Sequence, residues 1–289
     1  MGKIVGGLLC THIPRLMIRD AAERKAYMGD NVTTMAAALE EIRREVVDRL
    51  EFDTFAIVDT HWHTTLDFVL NAHERLEGLY TSDEVPHMLH EYAYAYRGDP
   101  ELAQAIAEEG AAAGLPVIAS SHRGLPVHYG TLNPMHYLNP GAKRSVLSMS
   151  VCDTAEIHHN LDFGAALRRA IERLGRRVLL VASGGLSHRF WSLDTIREHA
   201  GADPSEISTP QGRAWDERLI AALQRGAHGE VIESADAFRR ECAPEGRFAH
   251  YLVLAGAFGG EKFHSPGRRF GRYEAAIGTG QVNLWFPAL

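Results

Sequence analysis

The chain carries 16 histidines among 289 residues, against only 3 cysteines. Surplus histidine serves metal ligation, acid–base chemistry near neutral pH, or surface polarity, and position separates these uses. His12, His61 and His188 each follow closely on a short apolar run, at residues 4–9, 54–58 and 177–182. His128 lies in the stretch after a fourth run, at 116–119, just before Tyr129-Gly130. Neutral imidazoles joined by a carboxylate suit Fe(II), Mn(II) or Zn(II). Two imidazoles and one carboxylate on one face leave coordination positions open. That suits an Fe(II) enzyme taking substrate and O2 together, or a hydrolytic zinc. Spacing alone does not single out the carboxylate from 37 acidic residues. Glu245 is attractive because a turn, Cys242-Ala243-Pro244-Glu245-Gly246, meets an apolar helix there, although a Glu at a helix start also serves as a cap. In His61-Trp62-His63, alternate residues of a strand share a side, so both rings could reach one metal. The preferred reading makes His61 the ligand and has His63 face the pocket or support the site.

The elements that must position these residues alternate. Runs at 4–9, 54–58, 116–119, 145–151 and 177–182 read as strands. Met35, Leu39, Ile42, Val46 and Leu50 form one helix face, with Asp30 or Asn31 as its cap. Asp99-Pro100 opens a helix that Gly114 closes, and further helices are expected over 162–174, 210–223 (capped by Thr209) and 247–258. Two strand-like pieces flank Gly278-Thr279-Gly280, which lacks the pattern of a nucleotide loop and reads as a tight turn. This rhythm predicts an α/β fold with helices on both faces of one sheet, as a single domain over residues 1–289. In such sheets functional groups gather beyond the carboxyl ends of strands, where the four histidines fall. Residues 64–99, rich in aromatics and His, read as an irregular insertion or lid.

Lys and Arg total 30 and Asp and Glu total 37, for a net charge of −7. A sequence pI near 6.1 argues against a general nucleic-acid binder. Cys10, Cys152 and Cys242 are far apart and form neither a disulfide framework nor a thiolate zinc site, so a reducing cytoplasm is expected. No apolar stretch approaches the roughly 18 residues of a membrane span. His122, His136, His158, His159, His228 and His264 read as structural.

Several stretches, in order along nearly the whole chain, match one family. They are Thr11-His12-Ile13-Pro14, Asp59-Thr60-His61-Trp62, Glu77-Gly78-Leu79-Tyr80-Thr81-Ser82-Asp83-Glu84-Val85-Pro86-His87, His128-Tyr129-Gly130-Thr131-Leu132, Ala182-Ser183-Gly184-Gly185-Leu186-Ser187-His188-Arg189-Phe190, Pro244-Glu245-Gly246 and Gly278-Thr279-Gly280-Gln281-Val282-Asn283. The sequence resembles the class III extradiol ring-cleavage dioxygenases, the superfamily typified by the protocatechuate-cleaving catalytic subunit. Within it the likeness is closest to members that cleave 3,4-dihydroxyphenylacetate (homoprotocatechuate).

The resemblance implies a three-layer α/β/α domain with a central mixed sheet. It implies Fe(II) held by His12, His61 and Glu245, with His188 as active-site base and His128 as a second acid–base residue. The implied substrates are a small catechol and O2, the implied product a ring-opened hydroxymuconic semialdehyde, and the implied assembly a homo-oligomer. A carboxylated catechol needs a local cation, because a buried carboxylate without a partner is costly. Arg15, Arg189 and Arg247 adjoin the site residues. Trp62, Tyr80, His87 and Tyr129 are candidates for the wall against the ring, and His250 for support near Glu245. Alternative readings are a zinc enzyme on the same scaffold and a catalytically silent binding protein.

Overall fold

The computed structural model describes residues 2–18 and 33–288. The proposed helix caps Asp30 and Asn31 lie outside these residues. Strands β1 (Lys3–Cys10), β2 (Thr54–Thr64), β3 (Phe68–Asn71), β6 (Val117–Ser120), β7 (Ser145–Cys152), β8 (Arg177–Ser183), β9 (Arg268–Ala276) and β10 (Thr279–Pro287) form one mixed sheet. Its order is β6-β3-β7-β2-β8-β1-β10-β9, and β4 (Arg75–Tyr80) and β5 (Tyr92–Arg97) form a separate antiparallel hairpin. The centre, β7-β2-β8-β1, is parallel, whereas β10 and β9 add antiparallel at one edge.

Alternation along the strands divides the core into two layers. Phe55 and Ile57 of β2 face one side, with Leu8 of β1. There they meet helices α1 (Met35–Glu45) and α3 (Tyr129–Leu138) through Leu39, Ile42, Leu132 and Met135. Ala56, Val58 and Leu9 face the other side. That layer is covered by α2 (Pro100–Ala112), α4 (Ile157–Leu174), α5 (Pro210–Gln224), α6 (His228–Cys242) and α7 (Ala249–Ala257). The result is the expected three-layer α/β/α arrangement with a central mixed sheet.

Three expectations are corrected in detail. The helix expected over 247–258 begins at Ala249, because Gly246, Arg247 and Phe248 adopt left-handed backbone (φ 51°, 53° and 62°). Residues 64–99 are not irregular: they contain β3 of the main sheet and the β4–β5 hairpin. The helix read through Leu50 ends at Glu45, followed by a short 3-10 turn. The tight turn expected at Gly278 is present, joining β9 to β10 with Gly278 at φ 104°.

Candidate metal centre and cavity

The register of the central strands places the site. Cys10 of β1 and Asp59 of β2 both pair with Ser183 of β8, so the three strands reach one level together. Immediately beyond that level come His12, His61 and the loop carrying His188. In β2 the pairing jumps from Asp59↔Ser150 to His63↔Val151, so residues 60–62 bulge out of the ladder. A bulge re-aims side chains next to a site, and here it turns His61 inward. Asp59, fully buried, fixes the bulge by accepting from the His61 N–H (2.8 Å) and from the Thr131 hydroxyl (2.7 Å).

His12, His61 and Glu245 converge, with their donor atoms all within 4.8 Å of one another. His12 Nε2 lies 2.8 Å, and His61 Nε2 3.5 Å, from Glu245 Oε1. Donors held about 2.1 Å from a common ion lie about 3 Å apart at right angles and about 4.2 Å apart at most, so the 2.8 and 3.5 Å pairs match one ion and only the widest separation has to shorten to hold it. Their surroundings fix each of them. The Ser183 hydroxyl donates to the Gly130 carbonyl, which leaves its oxygen to accept the His12 Nδ1 proton at 2.9 Å. That bond assigns the other nitrogen, Nε2, to the ligand position. Glu245 accepts from the Thr60 hydroxyl at 2.7 Å through Oε1 and from the Gly185 N–H through Oε2. Gly246 can follow it because any Cβ there would lie 2.6 Å from the Thr60 methyl.

Charge agrees with geometry. Burial alone would raise the Glu245 carboxyl, but the charges of His12 and His188 and the His12 hydrogen bond hold it well below the usual carboxylate range. Burial alone would lower His12, and Glu245 overcomes it, so His12 lies above the ordinary histidine value. His61 is pushed down to about 3, by burial first and then by the His12 charge. The cluster therefore presents one firm anion and an imidazole kept neutral, a donor set suited to a divalent cation.

This cluster forms one wall of a cavity of about 130 Å³. The volume is comparable to the roughly 150 Å³ that takes up one benzene ring in an engineered protein cavity. His188, Tyr129, Glu84, Phe190, Ile277 and Arg15 also line it. His188 Nε2 is 3.7 Å from Glu245 Oε2. The Tyr129 hydroxyl lies 2.6 Å from His61 Nε2 and donates to Glu84 Oε2 at 2.8 Å. Arg15 is only 9% exposed. It donates to the carbonyls of Ala200 and Ala275, both at 3.3 Å, and its Nε has no partner. Among the described residues no carboxylate lies within ion-pair distance of it.

Other candidates fall elsewhere. His128 does not line the cavity. It starts α3 and stacks on Trp62 at 6.3 Å, so these two rings cover each other, and the next residue, Tyr129, takes the cavity position. Trp62, on the bulge between His61 and His63, is buried but not on the cavity wall. His63 is exposed and pairs with Asp153 at 2.8 Å, away from the pocket. His250 is fully buried in α7, and neither ring nitrogen has a hydrogen-bond partner; it is not on the cavity wall. Arg189 and Arg247 are exposed at the surface side, the latter 3.6 Å from Glu156. Tyr80 packs behind Tyr129 at 6.3 Å, and His87 is exposed. His228, read as structural, is fully buried between the Tyr251 hydroxyl and the Ser265 carbonyl, each 2.8 Å away. Glu84 and Thr60 were not singled out as functional positions. Both lie inside recognisable stretches, but a surface-like Glu and a strand Thr carry no spacing signal.

The chain matches, over residues 6–286, the family described as the catalytic LigB subunit of aromatic ring-opening dioxygenase. It is 29% identical over 267 residues to the 3,4-dihydroxyphenylacetate 2,3-dioxygenase of Escherichia coli, covering 91% of this chain and 93% of that protein. It is 25% identical over 293 residues to the 2-aminophenol 1,6-dioxygenase beta subunit of a Pseudomonas species, covering 97% of this chain and 93% of that one. Among solved structures, an uncharacterized protein from Escherichia coli K12 superposes with a TM-score of 0.65 at 18% identity, covering 98% of this chain and 99% of that one. At that identity the likeness shows the fold alone.

Proposed function

The chain belongs to the family of catalytic subunits of aromatic ring-opening dioxygenases, and we propose that it is a non-haem Fe(II)-dependent extradiol dioxygenase. It takes a catechol and inserts both atoms of O2, giving a ring-opened hydroxymuconic semialdehyde. The observation that carries this reading is one cavity whose wall holds two imidazoles, one firm carboxylate and a further histidine. His12, His61 and Glu245 would hold the iron. When bound, the ion supplies open positions for adjacent hydroxyls and O2 and lowers the hydroxyl pKa values.

The protein's own residues do the rest. His188, on the wall beside Glu245, takes the proton of a bound hydroxyl; general bases of this kind contribute about 10²- to 10⁴-fold. Tyr129, oriented by its bond to Glu84, presents its hydroxyl oxygen to the substrate. Phe190 and Ile277, partly exposed on the cavity wall, give the ring an apolar surface to pack on. The loop between β4 and β5 contributes Glu84, Val85 and Met88 to the wall and acts as a lid.

Arg15 is assigned to the substrate's side chain. Among the described residues its guanidinium is buried with no carboxylate in ion-pair distance, only the more distant charge of Glu274 acting on it, and a substituent carboxylate would pair with it directly. The relative that acts on 3,4-dihydroxyphenylacetate makes that compound the first choice. Three free, buried cysteines suit a reducing cytoplasm, and no helix among the described residues is long and apolar enough to cross a membrane. The Pseudomonas relative is named as a beta subunit, which favours assembly of more than one chain, of a type that name leaves open; the reading for this chain stays a homo-oligomer by family resemblance.

Two variants test the division of labour. His12→Ala is expected to lose iron, measured by metal analysis after anaerobic loading. His188→Ala is expected to keep it and to lose catechol-dependent O2 uptake by about 10²-fold or more. Full turnover by His188→Ala, or retained iron in His12→Ala, would remove those assignments.

A further inference from the structure

Asp216 lies on α5 on the same buried face as Leu219, Ile220 and Leu223, and it is fully buried. A carboxylate in that position breaks the apolar pattern of its helix, and taking it out of water is costly. Among the described residues no cation lies within ion-pair distance of it. Instead three neutral donors hold it. The Ser187 N–H reaches Oδ1 at 2.9 Å, and the Ser187 hydroxyl and the Tyr273 hydroxyl reach Oδ2 at 2.6 and 2.7 Å. Two glycines make room for this contact. A Cβ on Gly280 would lie 1.9 Å from Asp216 Oδ2, and one on Gly212 would lie 3.2 Å from Ser187 Oγ. An apolar side chain at 216 would fill the space at less cost, so the carboxylate calls for a role in placement.

Ser187 is the residue before His188. Its carbonyl accepts from Gly280 N–H at 2.9 Å, and Leu186 N–H donates to the Gly280 carbonyl at 2.8 Å. The Leu186 carbonyl accepts the Glu245 N–H at 3.1 Å, while His188 N–H reaches the Cys242 carbonyl only at 3.4 Å. The short, charge-assisted bonds of this loop therefore lie at Ser187, and the bond of His188 itself is long.

We propose that Asp216 is a positioning residue that clamps Ser187 and thereby fixes the His188 ring against the cavity. This rests on the reading of His188 as the base. Asp216 touches neither substrate nor metal ligands. Burial pushes its carboxyl up to about 6, with the Ser187 and Tyr273 hydrogen bonds working against the rise.

Asp216→Asn tests the clamp, since it keeps the shape of the side chain, removes the charge that strengthens all three bonds and leaves only one acceptor oxygen for donors that now use two. In the metal-free protein, amide hydrogen exchange at Ser187 and His188 is expected to quicken about 10-fold or more, while Leu252 and Leu254 of α7 keep their rates. In the iron-loaded enzyme kcat is expected to fall about 10²-fold at unchanged iron content, the scale for a displaced catalytic group. Combined with His188→Ala, Asp216→Asn is expected to add no further loss. Unchanged exchange at 187–188, or the same fold loss in the His188→Ala background, overturns the proposal. If wild-type enzyme cleaves no catechol, the functional reading fails, and the exchange result still decides whether Asp216 holds the loop. Should Asp216→Asn not fold, Ser187→Ala removes the hydroxyl bond alone. An exchange rate at His188 and a kcat both equal to wild type in that variant also overturn the clamp.

Discussion

Replacing Arg15 by Met keeps the length and bulk of the side chain and removes its charge. The guanidinium has five N–H groups; two are spent on the Ala200 and Ala275 carbonyls at a long 3.3 Å, and Nε is unpartnered. With no carboxylate of the described residues in ion-pair distance and only 9% exposure, burial lowers its pKa and the more distant charge of Glu274 offsets this only in part, so it costs the metal-free protein stability. A hydrogen bond to a charged group contributes about 1.5–3 kcal/mol, and truncating one side of a buried charge pair costs about 2–5 kcal/mol. Taking about 2–4 kcal/mol, kcat/KM for 3,4-dihydroxyphenylacetate is expected to fall about 30- to 1000-fold. For uncharged 4-methylcatechol the change is expected to stay within about 3-fold. Burial without a counter-ion gives the opposite sign for folding: Met at 15 is expected to raise the urea midpoint of the metal-free protein. Initial rates of O2 uptake with the two catechols, and urea melts of both proteins, measure each half. An equal loss on both catechols refutes the assignment of Arg15 to the side chain. A large loss of stability makes Arg15 a structural fastener between the loop after β1, β9 and the residue-200 loop.

Three further outcomes follow from other contacts. Thr60→Val deletes the donor to Glu245 Oε1 and is expected to weaken iron binding about 10- to 100-fold, measured by competition with a chelator; unchanged affinity removes Thr60 from the site's support. Tyr129→Phe empties the hydroxyl position beside His61 and Glu84. It is expected to lower kcat about 10-fold or more with iron retained, whereas His128→Ala, outside the cavity, is expected to stay within about 3-fold. The third concerns His228, whose pKa burial lowers from the ordinary 6.5 to about 4. Below pH 6.5 the unfolded chain takes up a proton there that the folded chain refuses, so stability is full above 6.5 and falls as pH drops toward 4. The gap amounts to about 3 kcal/mol. His228→Gln is expected to flatten that slope in urea midpoints between pH 7 and 4, and an identical slope in both proteins contradicts the assignment.

The parts of this molecule that were legible in the sequence share a physical reason. Strands β1, β2, β7 and β8 are built on apolar stretches because they are buried on both faces, with serines interspersed in β7, and the histidines just beyond β1, β2 and β8 could be read from chain order alone. Glu245 could be noticed from the turn before an apolar helix but assigned as a ligand only through the family resemblance, since that turn uses left-handed backbone at Arg247 and Phe248, which no residue pattern announces. That His128 is off the cavity wall is a matter of phase: His128 and Tyr129 are neighbours at a helix start, and which of them faces the cavity depends on the angle at which α3 enters the layer. Trp62 is off the wall on a bulged strand, where the two-residue period is interrupted. The β4–β5 hairpin does carry a two-residue period, in Leu76, Gly78 and Tyr80 and in Tyr92, Tyr94 and Tyr96, whose rings pack on the core, but a face of tyrosine with glycine and alanine lacks the branched apolar residues that mark a core strand. Asp216 carries no signal in the sequence, because a lone acid in a helix is marked as buried only by the packing of α5.

The most direct measurement is anaerobic loading of the protein with Fe(II), followed by addition of 3,4-dihydroxyphenylacetate and a known amount of O2. The account predicts bound iron at one per chain, uptake of one O2 per catechol and a yellow product. Iron bound at His12, His61 and Glu245 with no O2 uptake from any catechol in a panel of charged and neutral members contradicts it.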